Sequence, residues 1–267
     1  MTDLDALRVD LAGEHAWLDD LVAGIDDHAW ATPTPAAGWD VADQIGHLAY
    51  FDHQATTAIE SPDRFTEGLA ELARAMDAST IDDYTLAPTR ALDRPGLLAY
   101  WRRARARLLD AAAGLAPGDR VVWYGPSMSS ASFLTARLME TWAHGVDVAT
   151  ALGVAPSSSD RLRHVARLGY LTRGWSYTVR GEAVPPGTVR VDLVAPSGAA
   201  WSFGDDPADD VVTGPALDFC LVVTQRRHVD DTELASGELG HDWLTRAQAY
   251  AGGPTLGPNP KGRDVTR

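Results

Sequence analysis

SSASFLTARLMETWAHGVDVATALG, residues Ser129–Gly153, is the stretch on which the reading of the fold turns. Its spacing predicts one amphipathic helix, with Ser129 or Ser130 as N-cap and Gly153 as the stop. Glu140 and His144, four residues apart, then project from one face, one turn apart. Arg137 and Asp147 fall on the same stripe, a turn to either side. A Glu-x-x-x-His pair on a rigid helix offers a metal ion one carboxylate oxygen and one imidazole nitrogen. A third ligand must come from elsewhere.

Working outward, the chain is mostly helical. Leu4, Leu7, Leu11, Leu18, Val22 and Ile25 predict a first helix from Leu4 to Ile25. After the break ATPTPAAG (Ala31–Gly38), Asp40 caps a second helix running to Glu60, with His47 on the flank shared by Asp43, Tyr50 and Gln54. Arg64–Met76 reads as a third helix and Asp77–Arg94 as a loop. Asp93 and Pro95 open a fourth helix, which Gly114 and Pro117 end. Trp123 and Tyr124 lie on a short loop, placed to close over the mouth of the bundle. A further helix is expected over Asp160–Tyr177, with Val165, Leu168, Leu171 and Trp175 inward.

Near Gly181 the period changes. GTVRVDLVAPSGAAWSFG alternates around a Pro-Ser-Gly turn and predicts a β-hairpin, with Asp210–Thr213 as a third strand. ALDFCLVVTQRR reads as a buried helix and Leu239–Ala251 as a last amphipathic one. The residues from Gly252 read as a mobile tail. An α-helical bundle therefore gives way to a smaller α+β part near residues 178–187, which defines domains over 1–178 and 179–252 and a flexible tail over 253–267.

His47 supplies the missing third ligand if its helix faces the Glu140–His144 helix. Two imidazoles and a carboxylate are the ligand set of open zinc sites and of non-haem iron sites. They leave a position free for water, a thiol or a carbonyl. Asp43 and Asp147 are candidates to orient the imidazoles from behind. On pattern alone a Glu-x-x-x-His on a helix is more often a solvated pair than a metal site, and a lone histidine more often an ordinary helix residue. Arg226 and Arg227 suit a substrate carboxylate or, more plainly, cap the helix before them. Trp39, Trp123 and Trp142 are placed to line a pocket or to pack in the core. Cys220, the one cysteine, reads as buried and inert.

A net charge of −14 argues against nucleic-acid backbones and anionic membrane surfaces as partners. A single cysteine rules out an internal disulfide. No N-terminal apolar signal core and no apolar run near the roughly 20 residues of a membrane span are present, so a cytoplasmic location is expected.

Two motifs carry a resemblance. GWDVADQIGHLAYFD (Gly38–Asp52) and ETWAHGVDVATALG (Glu140–Gly153) resemble the DinB-like metal-binding bundles of the mycothiol-dependent maleylpyruvate isomerase type. RVDLVAPSGAAWSFG, VTGPALDFCLVVTQRR and WLTRAQAYAG are similar to the sterol-carrier-like α+β domain appended in that family. The resemblance implies a mainly α fold: an up-down four-helix bundle followed by a small α+β domain. It further implies that His47, Glu140 and His144 bind a divalent metal, usually zinc. A small thiol such as mycothiol then adds reversibly to isomerise a small electrophilic substrate, or is transferred to it, with Arg226 and Arg137 as candidates to bind the substrate's anionic group. The chain departs from the family at Gln225–His228, where QRRH stands in place of a Gly-Arg step. The expectation is a bacterial, thiol-dependent isomerase or S-transferase, monomeric or homodimeric. The competing readings are a metal-dependent hydrolase without a thiol and a non-catalytic metal- or ligand-binding protein.

Overall fold

The computed structural model describes residues 3–75 and 81–261, which form two compact units, Met1–Ser157 and Ser158–Arg267. The first is built on four long helices: α1 (Leu4–Val22), α3 (Val41–Glu60), α6 (Arg94–Ala113) and α7 (Ser130–Ala151). Each starts at a residue whose side chain accepts from the first turn: Asp3, Asp40, Asp93 and Ser129. At α3 the cap is reciprocal, Asp43 accepting from the Asp40 amide in turn. Gly153 ends α7 with φ +69°, a conformation that glycine adopts without a Cβ penalty. The first helix is shorter than Leu4–Ile25, because Asp26 caps a new short helix α2 (Asp27–Trp30) that buries Trp30.

Contacts across the helices fix their directions. On α3 and α7, Gln44 meets His144 and Asp52 meets Arg137, so these helices are antiparallel. On α1 and α6, Arg8 reaches the Ala112 carbonyl and Asp19 pairs with Arg102, again antiparallel. On α3 and α6, Asp40 pairs with Arg94 and Glu60 with Arg107, so these two run the same way. The course is therefore up-down-down-up, with one long crossover, rather than a strict up-down alternation. That crossover holds α4 (Pro62–Ala75) and α5 (Ile81–Arg90). The latter corrects the loop expected over Asp77–Arg94; residues 77–80 and Met76 lie outside the described residues. Among its described side chains, helix α5 buries Thr85, Leu86 and Thr89, and it packs on α3 at Gly46. A Cβ at Gly46 would come 2.5 Å from Thr89 Oγ1.

Leu18, Val22, Val41, Ile45, Leu48 and Trp101 form the centre of the bundle, each aliphatic side chain contributing about 1.5–3 kcal/mol through burial. Trp142 belongs to this unit's interior, fully buried with its indole N–H on the Ser157 carbonyl. Strands β1 (Arg120–Val121) and β2 (Met128–Ser129) pair as a small hairpin, where a simple loop was expected.

The second unit holds α8 (Leu162–Leu171), α9 (Arg173–Thr178), β3 (Val189–Val194), β4 (Ala200–Phe203), β5 (Asp210–Pro215), α10 (Ala216–Val223) and α11 (Glu238–Leu244). The sheet order is β4-β3-β5, with β4 antiparallel and β5 parallel to β3. The alternation reads as expected: Val189, Val191 and Leu193 are buried, while Arg190 and Asp192 pair with each other. Gly198, at φ +85°, makes the hairpin turn possible. Gly169 of α8 lies against Val223 of α10, close enough that a Cβ would meet Val223 Cγ2 at 2.6 Å. This packing puts α8 in the second unit, and the two units divide at Ser157–Ser158.

The helix expected over Asp160–Tyr177 breaks at Thr172, whose hydroxyl turns back onto the Leu168 and Gly169 carbonyls. As a result Leu171 and Trp175 are exposed rather than inward. Helix α11 stops at Leu244, short of Ala251. Residues 252–261, read as a mobile tail, are tied along this unit: Gln248 bonds Gly253 and Thr255, and the Lys261 amide donates to Asp231. Among the described residues no helix is long and apolar enough to cross a membrane.

Candidate metal centre

The antiparallel pair α3 and α7 brings His47, Glu140 and His144 together. Ligand atoms from the three lie within 4.8 Å of one another, and among the described residues no other group of histidine, cysteine and acidic side chains does this. Glu140 Oε2 lies 3.2 Å from His144 Nε2 and 3.7 Å from His47 Nε2, and the two imidazole centroids are 4.3 Å apart. The side chains are 17% (His47), 26% (Glu140) and 12% (His144) exposed, so the cluster is sunk in the bundle yet open on one side.

Burial, reinforced by the charge of His144, lowers the His47 pKa to about 4. Burial pushes Glu140 upward, but hydrogen bonds to His144 and His47 more than offset it and hold the carboxyl well below its usual range. A neutral His47 and an ionised Glu140 are the forms that bind a metal. Two imidazole nitrogens and a carboxylate oxygen, converging beside an open face, fit a divalent ion with a position left for an exogenous ligand.

Aromatic rings surround the cluster. Trp39 stacks over His144 (6.0 Å, planes 18° apart) and leans on His47 (5.1 Å), its indole N–H reaching Asp82 at 3.3 Å. Phe51 also packs on His47, with ring centroids 4.5 Å apart. Trp123 stacks on Phe65 and meets Phe51 and Phe133 edge-on, and Tyr124 packs on Phe51. Of the three tryptophans singled out from sequence, Trp39 touches both imidazoles, Trp123 belongs to the adjoining aromatic group and Trp142 is core.

The remaining candidates have the following surroundings. Asp43 accepts two hydrogen bonds from Arg90, at 2.8 and 3.1 Å, so its carboxylate serves α5. Asp147 is buried further along α7. The group behind His144 is Gln44, whose Oε1 lies 2.5 Å from Nδ1. Gln44 is fully buried and was missed; with Phe51 it forms the true flank of His47, at three- and four-residue steps. Arg137, offered for substrate, is committed to Asp52 at 2.8 Å inside the bundle. Arg226, in the second unit, donates to the Thr224 carbonyl at 2.6 Å. The departure from the family's Gly-Arg step is met by Gln225 itself taking the left-handed conformation, φ +60°. Its amide bonds the Ala247 and Thr255 carbonyls, and its Oε1 accepts from Tyr250 and Thr255.

A family model described as the mycothiol maleylpyruvate isomerase N-terminal domain matches residues 11–149, which contain His47, Glu140 and His144. Two Mycobacterium tuberculosis proteins named as uncharacterized, from strains CDC 1551 / Oshkosh and ATCC 25618 / H37Rv, are each 44% identical over 258 residues, or 96% of this chain and 100% of theirs. The crystal structures of a mycothiol-dependent maleylpyruvate isomerase and of a histidine-to-alanine mutant of it superpose with a TM-score of 0.58, over 88% of this chain and 93% of theirs. At 16% and 15% identity they establish a shared fold. With the family model spanning more than half of its length, the chain belongs to the mycothiol maleylpyruvate isomerase N-terminal domain family.

Proposed function

We propose that the protein is a divalent-metal enzyme that uses a low-molecular-weight thiol, such as mycothiol, to isomerise a small electrophilic substrate or to transfer the thiol sulfur to it. The observation that carries this reading is the convergence of His47, Glu140 and His144 at a partly open face. Zinc is the ion that the donor set suits best, and when bound there it would hold a thiol sulfur as thiolate at neutral pH.

The residues around it have their own tasks. His47 and Glu140 sit in the forms that ligation needs. Trp39 and Phe51 cover the faces of the imidazoles and limit approach to the open side, which favours a buried sulfur over bulk water. In the isomerisation the sulfur adds to one carbon of a conjugated double bond, the bond rotates, and the sulfur leaves, so the thiol is regenerated. In an S-transfer the new carbon–sulfur bond stays and the substrate's leaving group departs. Arg137, a candidate for an anionic substrate group, is held by Asp52 and is set aside.

A hydrolase needs a base beside the metal position. Asp43, the carboxylate one turn before His47, is engaged by Arg90. The test is to supply zinc-loaded protein with a conjugated cis-diacid or an alkyl halide, with and without mycothiol. Turnover that requires both metal and thiol supports the reading. Turnover with water alone points to the hydrolase. No turnover, with a melting temperature that falls on chelation, points to a structural metal.

A further inference from the structure

The loop that precedes α3 is closed on itself. The Thr34 amide and hydroxyl both donate to the Trp39 carbonyl, at 2.9 and 3.0 Å. A hydroxyl has a single proton, and here it is spent on that carbonyl. Toward any other neighbour Thr34 Oγ1 acts as an acceptor. The Gln44 side-chain atom that faces it at 2.9 Å is therefore the amide nitrogen, Nε2. With Nε2 committed, Gln44 has one orientation, and its Oε1 is turned to His144 Nδ1. An amide oxygen carries no proton, so Nδ1 must be the donor in that contact.

We propose that Gln44, oriented by Thr34, is a positioning residue that keeps a proton on His144 Nδ1, making Nε2 the one nitrogen of that ring open to exchange. Nε2 is the atom that faces Glu140. Whatever occupies the space shared by His47, Glu140 and His144, proton or metal, is taken at Nε2. The same loop also places the Trp39 ring over the face of His144, so ring plane and ring protonation are set from one element. The inference deepens the metal-centre reading and rests on it only for its consequence, which is affinity. The bond to Nδ1 restricts the imidazole's rotation and raises its basicity toward an ion, as an outer hydrogen-bond partner does.

The experiment is two-bond ¹H–¹⁵N correlation of histidine-labelled protein, metal-free and titrated with Zn²⁺, for wild type, Gln44→Leu, Gln44→Glu and Thr34→Val. In the wild type His144 Nδ1 carries a proton in both states, and zinc perturbs Nε2. Gln44→Leu loses the bonded Nδ1 proton and binds zinc roughly 10–100-fold more weakly. Gln44→Glu keeps an acceptor in the same place and restores binding to near the wild-type value. Thr34→Val leaves Gln44 present but free to turn, and gives a smaller loss even where Gln44→Leu does not fold. A wild-type His144 with Nδ1 unprotonated overturns the proposal, as does Gln44→Glu binding as poorly as Gln44→Leu. Wild type with the Nδ1 proton in place that takes up no zinc supports the assignment at His144 and removes the metal reading instead.

Discussion

Arg137 on α7 and Asp52 on α3 form an ion pair inside the bundle, 2.8 Å apart, with side chains 3% and 0% exposed. A charge so placed is tolerated because its partner is there. Asp52→Ala leaves the guanidinium buried and uncompensated, and should cost about 3–5 kcal/mol of stability in urea unfolding. The double change Arg137→Met with Asp52→Leu should recover most of that loss. It should also leave zinc uptake at His47, Glu140 and His144 intact, since the pair belongs to the core. A near-neutral Asp52→Ala would contradict the assignment.

His15 packs edge-on against Trp101 in the same interior, with Asp52 3.7 Å from its Nε2. Burial lowers its pKa from 6.5 to about 4, further aided by Arg105 and Arg137 and opposed by Asp52. The folded-state value lies below the unfolded one, so between these limits the unfolded chain holds the extra proton. This contribution is complete above pH 6.5 and is lost as pH falls through 4. The shift corresponds to about 3 kcal/mol. Urea unfolding of wild type and His15→Leu across this window should show a shallower pH dependence in the variant; equal slopes would refute it.

Gln225 occupies a left-handed position that costs a non-glycine residue about 1 kcal/mol. Its side chain offsets this through bonds to Ala247, Thr255 and Tyr250, each contributing about 0.5–1.5 kcal/mol. Gln225→Gly relieves the backbone and loses the bonds, whereas Gln225→Ala keeps the strain and loses them too. Melting temperatures should therefore rank wild type above Gly and Gly above Ala. Gly at or above wild type would mean that the bonds contribute little.

How much of this was legible in the sequence depended on what each feature writes into it. Helices α3, α6 and α7 announce themselves through caps at Asp40, Asp93 and Ser129 and through wide apolar stripes. The faces of His47 and Glu140–His144 follow from those stripes. Helix α5 does not announce itself: among its described side chains the buried Thr85 and Thr89 are polar, which leaves a weak apolar stripe. Periodicity carries no direction either, so the parallel course of α3 and α6 appears only in the pairs Asp40–Arg94 and Glu60–Arg107. Charge made Asp43 look the better partner for an imidazole. Arg90, on the element read as loop, claims that carboxylate, while the uncharged Gln44 lies behind His144. At Gln225 the backbone turns left-handed without a glycine, which residue type alone does not announce.

The central claim is that His47, Glu140 and His144 hold a metal ion. Elemental analysis of the purified protein, beside His47→Ala and Glu140→Ala, tests it most directly. Wild-type protein should carry about one divalent ion per chain, zinc by preference, and neither variant that still folds should retain any. A wild-type protein that is purified without metal and takes up no added Zn²⁺ would contradict it.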